Sequence, residues 1–331
     1  MTTKVTLLGS GAMATACAMV LNEKVDCSVT IWGRKTEQIE RIRQNRQNQT
    51  YLPGVAIPDE IELTADIAQA VEDADYYVVA VPTKFLRGAL GALRSHLAAD
   101  VPVVSVVKGI ENQTFLRPSQ IIADVIGSTR IVSLSGPSHA EEVATRLPAS
   151  VVVAGDDETL VSQVQEMFST DRLRVYSNSD LLGVELAGAL KNVVAIAAGI
   201  SDGCGYGDNA KAALLTRGLV EITRFGVQHG AQAETFGGLA GLGDLVTTCC
   251  SRHSRNRAVG ERLGRGETPD QIFGSMQAVA EGVNTAKSVH DIAAQDKIDM
   301  PIVREVYRVL FEGESPHAST DRLMMRPLRD E

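Results

Sequence analysis

Apolar residues are arranged differently in the two halves of the chain. The first half carries short continuous apolar runs, each closed by glycine, proline or a polar turn: Lys4–Leu8, Val25–Trp32, Tyr76–Val81, Val101–Val107, Ile131–Leu134, Ser150–Ala154 and Leu173–Tyr176. Runs of this length read as strands buried on both faces, as in a mostly parallel sheet. Helical stretches alternate with them: Ala12 to about Leu21, the very polar Thr36–Asn48, Phe85–Leu97 and Glu158–Phe168. After the polar joint Ser177-Asn178-Ser179-Asp180, rich in helix-capping residues, the strand pattern ends and Gly, Ala and Leu recur at helical spacing. The expected fold is an α/β Rossmann-like domain over residues 1–179 followed by an all-α domain over 180–331.

Leu186–Ile200 is apolar on every side and is broken only by Lys191 and Asn192, so it reads as a helix buried all round. A lysine there is costly without a partner or a task. Two readings stand side by side. Lys191 is the acid/base on the wall of an active site, or it is a core lysine that is salt-bridged or snorkels to the surface.

The first strand is followed by Gly9-Ser10-Gly11-Ala12-Met13-Ala14 and then a helix, the order that dinucleotide binding requires. Gly9 allows the tight turn, Gly11 admits a pyrophosphate, and Ala14 takes the third small position. The second strand ends in Gly33-Arg34-Lys35, where an NAD site usually has an acidic residue. Two cations there point to the extra phosphate of NADP, or are solvated charges at a helix start. Lys108 stands after the Val101–Val107 strand, at the edge where open α/β sheets bind ligands. Ser135-Gly136-Pro137-Ser138-His139-Ala140 is a turn entering a helix.

In the second half, Gly237-Gly238-Leu239-Ala240-Gly241-Leu242-Gly243-Asp244 suggests tight backbone ending in a carboxylate, with Thr247-Thr248-Cys249 just beyond. Ser251-Arg252-His253-Ser254-Arg255-Asn256-Arg257 combines arginines with hydroxyl and amide groups, a set that suits a phosphate or a solvated surface helix. His139 and His253, each beside charged residues, read as merely exposed.

Composition narrows the classes. The 44% apolar and 22% charged fractions are those of an ordinary globular protein, and the net charge of −9 argues against a general nucleic-acid binder. The five cysteines are odd in number and no spacing among them suits zinc, which fits free thiols in a reducing cytoplasm and no metal. Val5–Leu21 resembles a secretory leader, but its glycines at 9 and 11 belong to the nucleotide loop, and no other run predicts a membrane span.

Together these segments resemble the bacterial-type NAD(P)-dependent glycerol-3-phosphate dehydrogenases over essentially the whole chain. The matching stretches are the first glycine loop, Val107–Glu111, Gly136–Glu142, Gly188–Ala195, Gly238–Leu245, Ser254–Asn256 and Val279–Gly282. The resemblance implies a helical domain like that of 6-phosphogluconate dehydrogenase and reversible reduction of dihydroxyacetone phosphate to sn-glycerol 3-phosphate, which feeds phospholipid synthesis. It implies Lys191 as the catalytic residue. It implies Lys108, Gly136, Ser138, Lys191, Asn192, Asp244, Thr248, Ser254, Arg255 and Asn256 as substrate contacts. Cofactor contacts would be Gly9, Gly11, Ala12, Met13, Ala14, Arg34, Lys35, Lys108, Ala140, Arg255, Val279 and Glu281. The cofactor would be NADP or NAD, with NADPH preferred, and the family suggests a homodimer through the helical domain. One departure stands out: Ala12 and Met13 occupy positions where the family usually has Ser or Gly and then an aromatic residue.

Rival readings are a ketopantoate reductase or hydroxyacid dehydrogenase of the same architecture, and a non-catalytic NADP-sensing regulator. The Ser254-Arg255-Asn256 cluster favours a phosphorylated substrate over the first. Lys191, Asn192 and Asp244 together argue against the second.

Overall fold

The computed structural model describes residues 2–276 and 280–328. They form two compact units, Met1–Lys108 with Leu116–Glu185 and Gly109–Phe115 with Leu186–Glu331.

The first unit is built on strands β1 (Thr3–Leu8), β2 (Cys27–Trp32), β3 (Glu62–Thr64), β4 (Tyr76–Val79), β5 (Val103–Ser105), β6 (Ile131–Ser135), β7 (Ala149–Ala154) and β8 (Leu173–Asn178). They lie in one sheet in the order β3-β2-β1-β4-β5-β6-β7-β8. The strands from β3 to β6 pair in parallel, β7 runs antiparallel to β6, and β8 is parallel to β7. The first six strands follow the order of a dinucleotide-binding sheet, whose ligand crevice lies beyond the carboxyl ends of β1 and β4. The helices between strands are α1 (Ala12–Leu21), α2 (Thr36–Asn45), α3 (Ile67–Val71), α4 (Thr83–Leu93), α5 (Pro118–Ile126), α6 (Ala140–Ala144) and α7 (Glu158–Phe168).

The central apolar runs became strands buried on both faces: Val5, Leu7 and Leu8, then Tyr77, Val78 and Val79, then Val103 and Val104 are closed to solvent, whereas β8 alternates buried and exposed residues. Three expected strands are shorter than their apolar runs, among them the fourth, which ends at Val79. The second begins at Cys27 because Val25 is almost fully exposed, and the fifth is confined to Val103–Ser105. Val106 still donates to the Val79 carbonyl at 3.1 Å, so Lys108 leaves the sheet from a chain that remains tied to β4.

The second unit is helical. Its elements are α8 (Leu181–Gly203), α9 (Gly207–Gln228), α10 (Ala233–Gly237), α11 (Asp244–Cys250), α12 (Arg255–Gly264), α13 (Pro269–Ser275), α14 (Glu281–Gln295), α15 (Pro301–Phe311) and α16 (Pro316–Met324). A π-helical turn, Leu239–Gly243, joins α10 to α11. α8 begins in the first unit, where the buried Glu185 accepts from Ser119 N at 2.8 Å, Ser119 Oγ at 2.6 Å and Arg117. Burial pushes the Glu185 carboxyl above the usual range, and Arg117 and Ser119 oppose that rise. From Leu186 onward α8 is the spine of the helical unit. Among the described residues it is the one helix long and apolar enough to cross a membrane, and 83% of that window is buried within the protein.

α12 runs parallel to α8 in close backbone contact. Asn192 meets Asn256 at an offset of 64 residues, and Ile196 meets Gly260 and Ile200 meets Gly264 at the same offset. A Cβ at Gly199 or Gly203 would collide with the carbonyls of Arg257 and Glu261, and one at Gly260 with the carbonyl of Ile196. Glycines spaced by four residues on both helices bring the two backbones this close.

Candidate functional site

In the nucleotide-binding unit, the loop after β1 has its expected conformation. Gly9 sits at φ +126°, and a Cβ there would press on the Ala80 carbonyl at the end of β4, so only glycine fits. A Cβ on Gly11 would meet nothing within 4 Å, so the loop faces open space at the start of α1. The Ser10 carbonyl is drawn back by Asn48 Nδ2 at 3.1 Å and Gln38 Nε2 at 3.3 Å, and Asn48 also donates to Thr15 Oγ1 at 3.0 Å. With that carbonyl held away, a helix N-terminus and its N–H groups remain for an anion, which fits a pyrophosphate. The sequence pattern missed Asn48. It is a polar residue at the end of a polar stretch, and only its burial against the loop marks it.

Ala14 is buried under the loop, whereas Ala12 and Met13 are half-buried. A void of about 30 Å³ lies against Met13 and brings it together with Val106, Lys108, Leu134 and Ser138. Lys108 Nζ donates to the Gly136 carbonyl at 3.0 Å, and Ser138 Oγ donates to the same carbonyl at 3.0 Å. Lys108, Gly136 and Ser138 are therefore one cluster. Ala140 is buried at the start of α6. Arg34 and Lys35 are exposed at the end of β2, just ahead of α2.

In the helical unit, Lys191 Nζ donates to Asp244 Oδ1 at 2.9 Å and to Thr248 Oγ1 at 2.5 Å. Thr248 Oγ1 in turn donates to Asp244 Oδ1 at 3.2 Å. All three are at least nine-tenths buried. The four glycines of residues 237–243 explain how Asp244 arrives there. The π-helical turn packs so tightly that a side chain at Gly241 would strike the Phe236 backbone, and Gly243 N closes on the Gly238 carbonyl at 3.1 Å. The salt-bridged reading of Lys191 and the active-site reading are thus not exclusive, because the partner is itself a buried carboxylate. Cys249 next door is inert: burial pushes its thiol up to about 12.

Asn192 accepts from Asn256 Nδ2 at 2.9 Å, and Asn256 Oδ1 accepts from Gly282 N at 2.9 Å. These two amides hold α8, α12 and α14 together, and Asn192 follows Lys191 in the chain. Ser254 caps α12, its Oγ accepting from Arg257 N at 3.2 Å. Arg255 is exposed on the first turn of α12. Arg257 does not join it, because its guanidinium donates to Asp202 at 2.7 Å and lies 2.6 Å from it through a second nitrogen. Glu281 opens α14, and Val279 lies outside the described residues. Among the described residues no group of three or more His, Cys, Asp or Glu could hold a metal ion.

A sheet of this order, with its glycine loop and a helical unit bearing a buried lysine–aspartate pair, defines a dinucleotide-dependent oxidoreductase. Comparison narrows the class. Residues 4–161 match the NAD-dependent glycerol-3-phosphate dehydrogenase N-terminus, and residues 180–321 match the C-terminus of the same family. The chain belongs to this NAD-dependent glycerol-3-phosphate dehydrogenase family. It is 47% identical to glycerol-3-phosphate dehydrogenase [NAD(P)+] 1 of Salinibacter ruber, over 99% of this chain and 96% of that one. It is 46% identical to the Bacillus pumilus enzyme, over 98% and 94%. The crystal structure of glycerol-3-phosphate dehydrogenase from Coxiella burnetii superposes with a TM-score of 0.94 at 34% identity, covering 98% of this chain and 99% of that one.

Proposed function

We infer that the protein interconverts dihydroxyacetone phosphate and sn-glycerol 3-phosphate with NADP or NAD, NADPH being preferred. The observation that carries the reading is the buried Lys191–Asp244–Thr248 cluster, on a helix whose next residue, Asn192, is bonded to Asn256 of the α12 N-terminal turn. When bound, the reduced nicotinamide supplies the hydride that reaches the ketone carbon. Lys191, ion-paired and hydrogen-bonded, stabilises the negative charge that grows on the carbonyl oxygen and donates its proton there. In the oxidising direction its neutral amine takes the hydroxyl proton. Asp244 and Thr248 hold Nζ in place for both steps.

Arg255 and the N-terminal turn of α12, with Ser254 and Asn256, take the substrate phosphate, where helix dipole and guanidinium act together. Asn192, Lys108, Gly136 and Ser138 complete the substrate contacts. Gly9, Gly11, Ala12, Met13 and Ala14 take the pyrophosphate side of the cofactor, and Arg34 and Lys35 take the 2′-phosphate. Lys108, Ala140, Arg255, Val279 and Glu281 serve its remaining contacts. The product supplies phospholipid synthesis. The protein works in the cytoplasm without a nucleic-acid or membrane partner, as a homodimer through the helical unit.

The test is a set of parallel assays of purified protein with NADPH and dihydroxyacetone phosphate, ketopantoate or a 2-keto acid, following reduced-cofactor absorbance. Turnover of the phosphorylated ketone alone is expected. Turnover of ketopantoate or the keto acid without the phosphorylated ketone, or none at all, would refute the reading.

A further inference from the structure

Arg257 is the third arginine of the stretch 252–257, and a carboxylate four helices earlier in the chain holds it. Its Nε donates to Asp202 Oδ2 at 2.7 Å, its Nη2 lies 2.6 Å from the same oxygen, and its Nη1 lies 3.4 Å from Glu261. The other oxygen of Asp202 takes Lys211 Nζ at 2.5 Å. One half-buried carboxylate on the last turn of α8 therefore ties α9 and α12 to it.

The glycine contacts make this tie consequential. Gly199 and Gly203 of α8 and Gly260 and Gly264 of α12 present smooth backbone to each other. Contact through glycine is close, but it has no knobs to resist sliding or rotation. Direction must come from polar pairs with fixed geometry. Asn192 with Asn256 is one such pair, and the fork of Arg257 on Asp202 is the other. Both act on the first turn of α12, where Arg257 follows Arg255 by two residues.

We propose that Asp202 is a positioning residue for recognition of the substrate phosphate. By clamping Arg257 it fixes the first turn of α12, so that Arg255 and Asn256 meet the phosphate in one orientation and no second guanidinium competes for it. The proposal rests on the assignment of Arg255 to the phosphate made above.

Asp202→Asn keeps the shape and one acceptor but removes the charge. In the folded variant, kcat/KM for dihydroxyacetone phosphate should fall roughly ten- to a hundredfold, while that for unphosphorylated dihydroxyacetone stays within about twofold. Calorimetry should show weaker binding of glycerol 3-phosphate. NADPH is kept saturating in every assay, its affinity being titrated separately by fluorescence because Arg255 is also assigned to the cofactor. Asp202→Glu should recover part of the loss. Arg257→Gln opens the same clamp from the other side without stranding a charge, and it carries the test if the Asn variant does not fold. Equal losses with phosphorylated and unphosphorylated substrate would overturn the proposal, as would unchanged or tighter binding of glycerol 3-phosphate. Failure of the underlying assignment would show separately, as normal glycerol 3-phosphate binding by Arg255→Ala.

Discussion

Lys191 and Asp244 stand 53 residues apart in the chain and 2.9 Å apart in the fold, both buried. The aspartate balances the charge of the lysine, which is how a lysine can remain inside an apolar helix, and in the proposed mechanism this lysine is the proton donor.

Removing one partner strands the other. Lys191→Ala should lower turnover by about 10²–10⁴ or more, and should also cost roughly 3–5 kcal/mol of stability because the buried Asp244 carboxylate loses the charge of Lys191. The double variant Lys191→Met/Asp244→Asn should be equally inactive yet more stable than Lys191→Met. Steady-state rates and urea midpoints measure both. A single variant that keeps a large share of kcat would remove Lys191 from the mechanism.

Arg34 stands exposed at the end of β2, where an adenosine ribose is read in sheets of this order. Arg34→Ala should raise KM for NADPH much more than KM for NADH. Equal changes in the two constants would mean that Arg34 does not touch the 2′-phosphate.

Arg255 is the exposed guanidinium of the α12 N-terminal turn. Binding energy from the phosphate should orient the carbonyl and so lower the barrier as well as KM. Arg255→Ala should therefore reduce kcat/KM for dihydroxyacetone phosphate severely and for dihydroxyacetone far less. NADPH affinity is titrated separately, since the same arginine is assigned to the cofactor. Equal factors for the two substrates at saturating NADPH would end the phosphate-anchor role.

Glu221 caps α15 from within the helical unit, accepting from Ile302 N at 2.8 and 3.1 Å and from Val303 N at 3.4 Å. Burial pushes its carboxyl up to about 7; the Ile302 and Val303 amides and Arg224 oppose the rise, and Asp299 adds to it. The folded state then holds a proton that the unfolded state has released between the ordinary carboxylate value and about 7. Stability from this group is fully present below that window and falls as pH rises through it, by on the order of 3 kcal/mol at most. Glu221→Gln should gain on the wild type in melting temperature as pH increases from about 5 to about 8. A difference that does not change with pH would show that Glu221 is already ionised throughout.

Much of the candidate site was legible in the sequence because its residues sit where the local pattern breaks. Lys191 interrupts an apolar helix, Asp244 ends a run of glycines, and the loop at Gly9 falls between a strand and a helix. Each departure carries a physical cost visible from neighbours in the chain. Residues that tie distant segments of the chain together gave no such sign. Asn48, Asp202 and Glu185 are ordinary polar residues by sequence.

The fold divides along the same line. The alternation of apolar runs with helices determined the nucleotide-binding sheet, and the loss of that alternation after Tyr176 determined the helical half, because periodicity is set by which face of each element must leave water. The antiparallel direction of β7 came from pairing alone, and so did the three-residue β3, since a strand as short as β3 has no period to read. Only the tertiary structure joined Lys191 to Asp244, gave Arg257 to Asp202 while leaving Arg255 exposed, and laid Gly260 against the Ile196 carbonyl. Those outcomes depend on distances between segments far apart in the chain, which packing fixes and local sequence does not encode.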